Sequence, residues 1–279
     1  MPVLARRAND LPSRPAREPS AAKVPAITAV FWLVKLLTTG MGEAASDYLG
    51  EENLVLAGLV GVLGLAAALR WQLRTPRYTA VAYWSTVAMV AVFGTMAADV
   101  LHVVGHVPYV LSTVFYAVVL GVVFTLWHRR EGTLSIHSIT TRSREGWYWV
   151  TVLATFALGT AAGDLTAAQL GWGYLPSAVL FAVLIAVPTL LWWRTRTSPV
   201  VTFWAAYVLT RPLGASIADW AGKPRSLSGL GLGDGPVTLV ALVAIAALVA
   251  FLAVSRSDIQ PPAGAPAEVE LAPVGPASR

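Results

Sequence analysis

FWLVKLLTTGMGEAASD, residues 31–47, is an apolar run that nevertheless carries Lys35, Glu43 and Asp47. On a helix Glu43 and Asp47, four residues apart, share one face. The stretch is one of four. YWSTVAMVAVFGTMAAD (83–99), YWVTVLATFALGTAAGD (148–164) and FWAAYVLTRPLGASIAD (203–219) align with it without gaps. Each opens on an aromatic residue and a tryptophan: Phe31-Trp32, Tyr83-Trp84, Tyr148-Trp149 and Phe203-Trp204. Ten residues after each tryptophan stands a glycine, Gly42, Gly94, Gly159 and Gly214. Fifteen after it stands an aspartate, Asp47, Asp99, Asp164 and Asp219. Tryptophan and intramembrane aspartate are both rare, so this agreement marks an internal repeat.

The rest of the chain fits a membrane setting for that repeat. Of 279 residues, 56% are hydrophobic and 13% charged, with a mean hydropathy of +0.63. A soluble domain carries about a quarter charged residues. The apolar residues fall in eight segments, near 26–48, 54–73, 78–101, 108–127, 147–169, 174–193, 199–220 and 235–254. Each is long enough to cross roughly 30 Å of hydrocarbon. The expected fold is an all-α polytopic membrane protein, with eight transmembrane helices arranged as four parallel two-helix repeats. Because each repeat holds two spans, all four enter from one side, which implies pseudo-fourfold or paired twofold symmetry about the membrane normal. The motif helices are candidates for an inner ring. Plainer helices such as NLVLAGLVGVLGLAAAL (53–69) would face lipid, with Gly58, Gly61 and Gly64 marking one close contact. The chain divides into a basic tail (1–24), repeats at 25–77, 78–146, 147–198 and 199–255, and a Pro/Ala-rich tail (256–279), both tails read as disordered.

Charge gives an orientation. Arg6, Arg7, Arg14, Arg17, Lys23, Arg70, Arg74, Arg77, Arg129, Arg130, Arg142, Arg144, Arg194, Arg196 and Arg256 all fall on one side of this topology, against Lys223 and Arg225 on the other. The positive-inside rule then puts both termini in the cytoplasm. The sequence pI near 9.7 is a topology signal, and nothing resembles a nucleic-acid module. Absence of cysteine excludes disulfides and thiolate sites. The four-repeat pattern resembles a bacterial family of integral membrane proteins with two transmembrane helices and a tryptophan per repeat. Members are described only as uncharacterised membrane-anchored proteins. The resemblance covers roughly residues 24–255. It implies the fold and no activity.

Function is therefore read from polar residues. A carboxylate in hydrocarbon is costly unless paired, hydrated or protonated. The four aspartates either tie helix ends together or converge as a cation site. Departures from the repeat are more informative. Glu43 stands where repeats two and three have Thr95 and Thr160, Lys35 lies deep in repeat one, and Arg211 precedes Pro212 in repeat four. Glu43 and the aspartates are candidates for ion binding or proton coupling, with Lys35 and Arg211 as counter-charges. Asp99, His102 and His106 would share a helical face if the helix continues, a set suited to a first-row divalent metal. Trp32, Trp84, Trp149 and Trp204, with the four glycines, are expected to pack the repeats, the indole N–H bonding across to a neighbour. Arg211-Pro212 is the expected helix irregularity.

The leading expectation is a secondary transporter of a small cation, a divalent metal ion first, coupled to protons through carboxylates. That ion is a substrate, and no cofactor is implied. The alternative is a non-transporting scaffold or sensor whose Trp and Asp are structural and whose segment HRREGTLSIHSITTRSREG receives a partner. An enzyme is disfavoured, since no nucleophile–base pair is evident, although lone carboxylates can do acid–base work. Expected partners are the bilayer and the cation; a homo-oligomer is left open.

Overall fold

A computed structural model describes residues 21–195 and 197–260. The tail arginines before residue 21, Arg196 and the chain beyond residue 260 lie outside it. The described residues form eight long helices: α1 (Ala29–Glu52), α2 (Leu54–Arg74), α3 (Ala80–Asp99), α4 (Tyr109–Glu131), α5 (Arg142–Asp164), α6 (Tyr174–Arg194), α7 (Pro199–Gly222) and α8 (Asp234–Ser255). Their boundaries are set by local chemistry. Thr28 Oγ1 accepts from Phe31 N at 3.2 Å and starts α1. Asn53 ends α1 by donating its backbone N–H to Leu49 O, and caps α2 by accepting from Leu56 N, so one residue turns the chain. Gly132, at φ 72°, closes α4 in the left-handed region that glycine enters without strain.

Seven helices are long and apolar enough to cross a membrane; the other, α1, is the one laden with Lys35, Glu43, Asp47, Glu51 and Glu52. It is sheltered, packing against α3, α7 and α8. The protein is a polytopic all-α membrane protein. The odd-numbered helices close a ring, α1 on α3, α3 on α5, α5 on α7 and α7 back on α1. Each even-numbered helix leans on the inner helix of the next repeat: α2 on α3, α4 on α5, α6 on α7, and α8 across the closure on α1. Their outer faces expose Leu59, Leu63, Val118, Val122, Val183, Leu190, Leu239 and Val243, as lipid contact requires.

The repeated glycines close this ring. A side chain at Gly94 of α3 would meet the Cβ of Phe156 on α5 at 2.6 Å. Gly42 is filled in the same way by Ala91, Gly159 by Arg211 and Gly214 by Thr39. Those four fillers all stand seven residues after their own tryptophan. Each inner helix thus receives one residue of the next into its glycine notch, and the fourth contact returns to the first helix. The cycle is fourfold. On α2, Gly61 and Gly64 face Met96 and Met89 of α3, while Gly58 faces open space.

The ring has a basic end, where Arg74, Arg77, Arg129, Arg142, Arg194 and Arg256 lie, and an acidic end, where the four aspartates lie. Segments expected to be loose are docked at the basic end. Lys23 is buried and its Nζ pairs with Glu145 Oε2 at 2.5 Å; Gln72 Nε2 donates to Glu145 Oε1 at 3.0 Å. Asp258 is buried too, accepting from the Tyr78 hydroxyl through its side chain and from Ala26 N through its carbonyl. In the α4–α5 connection Ile136 and Ile139 are buried, and Trp204 Nε1 donates to Leu134 O at 2.9 Å.

Candidate functional site

The ring axis is layered by the repeat. Nearest the basic end, the aromatic–Trp pairs pack into a plug. Phe31 lies 5.5 Å from Trp84 and 6.3 Å from Phe203, and Tyr148 lies 6.2 Å from Trp204, ring centre to ring centre. The repeat tryptophans pack within this layer or against it. Bonding across to a neighbouring segment holds for Trp204 alone, since the buried Trp84 and Trp149 indole N–H groups have no partner among the described residues. Three residues past each tryptophan stand Lys35, Val87, Val152 and Tyr207. Lys35 Nζ lies over the rings of Tyr207 and Phe156, 4.3 and 4.4 Å from their centres.

Deeper, all four inner helices meet at one ion pair. Arg211 Nη2 lies 2.6 Å from Glu43 Oε2, and both side chains are buried. Arg211 Nη2 also donates to Thr160 Oγ1 at 2.7 Å and to Thr95 Oγ1, while Nη1 reaches Thr39 O at 3.5 Å. Thr95 and Thr160 in turn donate to Glu43 Oε2 at 3.2 and 3.4 Å. Repeat register explains the meeting. Glu43, Thr95 and Thr160 occupy the same position, eleven past tryptophan, where repeat four has Ala215 and leaves room. Arg211, seven past its tryptophan, fills the Gly159 notch and lies with its guanidinium carbon 5.2 Å from the Phe156 ring centre. Among the described residues every hydrogen bond to Glu43 goes to Oε2, which leaves Oε1 for a ligand.

Roughly one helical turn beyond, at about 1.5 Å per residue, the aspartates appear, and they are not equivalent. One oxygen each from Glu43, Asp164 and Asp219 lie within 4.8 Å of one another. Asp219 is buried and makes no hydrogen bond among the described residues, its Oδ1 fully enclosed. Asp47 is drawn aside: Lys223 Nζ lies 2.7 Å from Asp47 Oδ2 and 2.8 Å from Asp234 Oδ2. Burial works against the Lys223 ammonium, but Asp47, Asp234 and Asp219 outweigh it and hold its pKa above the usual lysine value. Asp99 makes no ion pair among the described residues and stands outside the group of three.

The helix irregularity is also elsewhere than expected. α7 runs unbroken through Pro212, whereas α3 and α5 each pass into a π-helical turn directly after their aspartates, at Val100–Val104 and Leu165–Gln169. Such turns are frequent at functional sites. The first of them removes the α-helical face expected for Asp99, His102 and His106. His102 Nδ1 is bonded to Val107 O at 2.9 Å and its ring stacks on Tyr109 at 3.5 Å. His106 is exposed, past the turn, at φ 51°. The structure does not gather these three side chains into one cluster.

Residues 82–133, 147–198 and 202–258, more than half of the chain, match the family described as Repeat of Unknown Function (DUF347). The chain belongs to that family of tandem repeats. Its three matched units are repeats two, three and four; repeat one, with the same tryptophan, glycine and aspartate, completes the ring. No curated protein and no solved structure matches the chain.

Proposed function

We propose that this protein is a secondary transporter of a small divalent cation, with Glu43, Asp164 and Asp219 as the binding carboxylates. One observation carries the reading: three carboxylates from three inner helices converge at the acidic end of the axis, and one of them, buried Asp219, has no partner among the described residues. Uncompensated negative charge at that depth calls for a cation or protons. The donor set is all oxygen, which suits hard ions such as Mg²⁺, Mn²⁺ or Ca²⁺ better than Zn²⁺ or Ni²⁺. Two ligands on opposite sides of an ion stand at most about 4.2 Å apart for Mg²⁺ and about 5 Å for Ca²⁺. The three oxygens, all within 4.8 Å of one another, already meet the Ca²⁺ limit and need at most a small closure for Mg²⁺.

The aromatic plug blocks the other half of the axis, so we read the acidic end as the side from which the ion reaches the carboxylates. Arg211 holds Glu43 in place while the aspartates wait for the ion. We read the basic end as cytoplasmic, following the arginine distribution, and the membrane as a bacterial inner membrane, as the resemblance to a bacterial repeat family implies. Asp47, engaged by Lys223, serves as a structural tie outside the ion path.

The test is flux of Mn²⁺, Mg²⁺ and Ca²⁺ into vesicles reconstituted with the full chain. Transport of at least one ion is expected, lost in Glu43→Gln, Asp164→Asn and Asp219→Asn and kept in Asp47→Asn. Folded protein that carries none of the three refutes the reading and leaves the scaffold alternative.

A further inference from the structure

Lys35 takes no part in the carboxylate site. Its ammonium is fully buried and has no hydrogen-bond partner among the described residues, only the rings of Tyr207 and Phe156. Ring faces replace part of the lost hydration and no more. Methionine would fill the same space at far less cost, and a costly intramembrane charge is by default a functional candidate.

From Lys35 a column of tyrosines leads to the basic end. Tyr207 stands at the level of Lys35, three past tryptophan. One turn further toward the basic end the Tyr83 and Tyr148 hydroxyls hydrogen-bond each other. The Tyr207 hydroxyl is buried beside Tyr148 without a completed hydrogen bond of its own. The Tyr78 ring packs on Tyr83 at 5.7 Å, and its hydroxyl donates to Asp258, whose Oδ1 has no partner among the described residues. Phenylalanine would pack these positions equally well. Hydroxyls in an otherwise apolar plug need another reason.

We propose that this column is a proton path from the basic end to Lys35 through a plug closed to ions. A proton from water reaches Asp258, and passes by way of Tyr78, the Tyr83–Tyr148 pair and Tyr207 to the Lys35 amine. The Asp258–Tyr78 and Tyr83–Tyr148 links are already hydrogen-bonded, and the others close by rotation of the hydroxyls and of the Lys35 side chain. Each hydroxyl accepts a proton on its oxygen and releases its own to the next group. The column ends as it began, and Lys35 Nζ gains one proton and one positive charge. That charge stands beside Arg211, both cations lying over the Phe156 ring. It therefore opposes a cation at the carboxylates one level further on, and loss of the proton relieves the opposition. Around Lys35 the ionisable groups are Tyr207 and Arg211 from α7, with Tyr83 of α3 and Tyr148 of α5 one turn away; α8 has none beyond Asp234 at its start. The use of this path rests on the transport reading above.

Full-length protein in vesicles with a trapped pH dye and external Mn²⁺ tests it. Proton movement opposite to Mn²⁺ flux is expected in the wild type. Tyr148→Phe, which removes one hydroxyl and keeps the ring, should slow it by about 10²-fold, the low end of what a positioned proton-transfer group contributes. Lys35→Arg keeps the charge but cannot release a proton, so it should abolish proton movement while Mn²⁺ binding to purified protein survives. Mn²⁺ flux without protons, or wild-type proton movement in Lys35→Arg or Tyr148→Phe, overturns the path and spares the transport reading. Neither Mn²⁺ nor proton movement in the wild type overturns the path, and the same vesicles given Mg²⁺ and Ca²⁺ then decide the transport reading.

Discussion

Neutralising Glu43 should unpin all four repeats at once. Glu43→Gln keeps the side-chain volume but leaves Arg211 buried at the crossing of α1, α3, α5 and α7 without its carboxylate. Removing one partner of a buried pair costs about 3–5 kcal/mol, because the other charge remains uncompensated. At roughly 2–4 °C per kcal/mol for a chain near this size, the melting temperature should fall by roughly 6–20 °C. Arg211→Gln should cost a similar amount, since it strands Glu43 beside the aspartates. The double variant removes both charges together, and a pair replaced as a unit is often nearly neutral. The two single losses together should therefore exceed the double loss by at least about 3 kcal/mol, the upper end for contacting residues. Tryptophan fluorescence during heating in detergent reads this directly, because Trp84 and Trp149 are buried in the plug. Additive losses, or a drop of less than about 1 kcal/mol in either single variant, the level of an exposed pair, would refute the pinning argument.

Two further outcomes separate fold from function. Gly94→Ala forces a Cβ against Phe156 at 2.6 Å and should destabilise by about 1–3 kcal/mol, as overpacking does, whereas Gly58→Ala meets nothing within 4 Å and should be neutral or better in the same melting assay. Burial raises the Asp258 pKa above the ordinary carboxylate value, with the Tyr78 hydrogen bond working in the other direction. The fold thus binds that proton more tightly than the unfolded chain, and its contribution to stability falls as pH rises from the ordinary value through the raised one. Asp258→Asn should remove this part of the pH dependence, so the wild-type and variant melting curves should draw together on acidification toward pH of about 4, the unfolded aspartate value.

The ring was legible because its signals are periodic. One Trp, one Gly and one Asp at fixed offsets predicted four equivalent helices, and the glycine notches explain why that offset cannot drift. The filler of each notch was harder to find, since Thr39, Ala91, Phe156 and Arg211 share a place without sharing a residue type. Lys223 escaped notice as a partner of Asp47 because it follows the end of α7, and only the return of the chain into α8 brings it back over the acidic end. The π-helical turns after Asp99 and Asp164 have no compositional mark comparable to proline, which drew attention to Pro212 instead. Proline in a membrane helix frees one carbonyl, and the packed neighbours of α7 tolerate that without a break.

The charges on the axis point to where function entered a symmetric scaffold. A fourfold ring offers four side chains at each level, yet the level of Lys35 holds one charge, the level of Arg211 one, and the level of Glu43 one. All three come from α1 and α7, the helices joined where the last repeat meets the first. Symmetry-related copies could not do the same work: four lysines or four arginines on one axis would repel, and four glutamates would need four partners. A single cation and a single carboxylate at successive levels require that one repeat differ from the rest. Repeat one supplies Lys35 and Glu43, and it is also the unit that the family's repeat pattern does not match. Arg211 shows that such a charge can enter without loss of the pattern, since repeat four carries it and still matches, so the asymmetry belongs to the closure of the ring, where the first and last repeats meet.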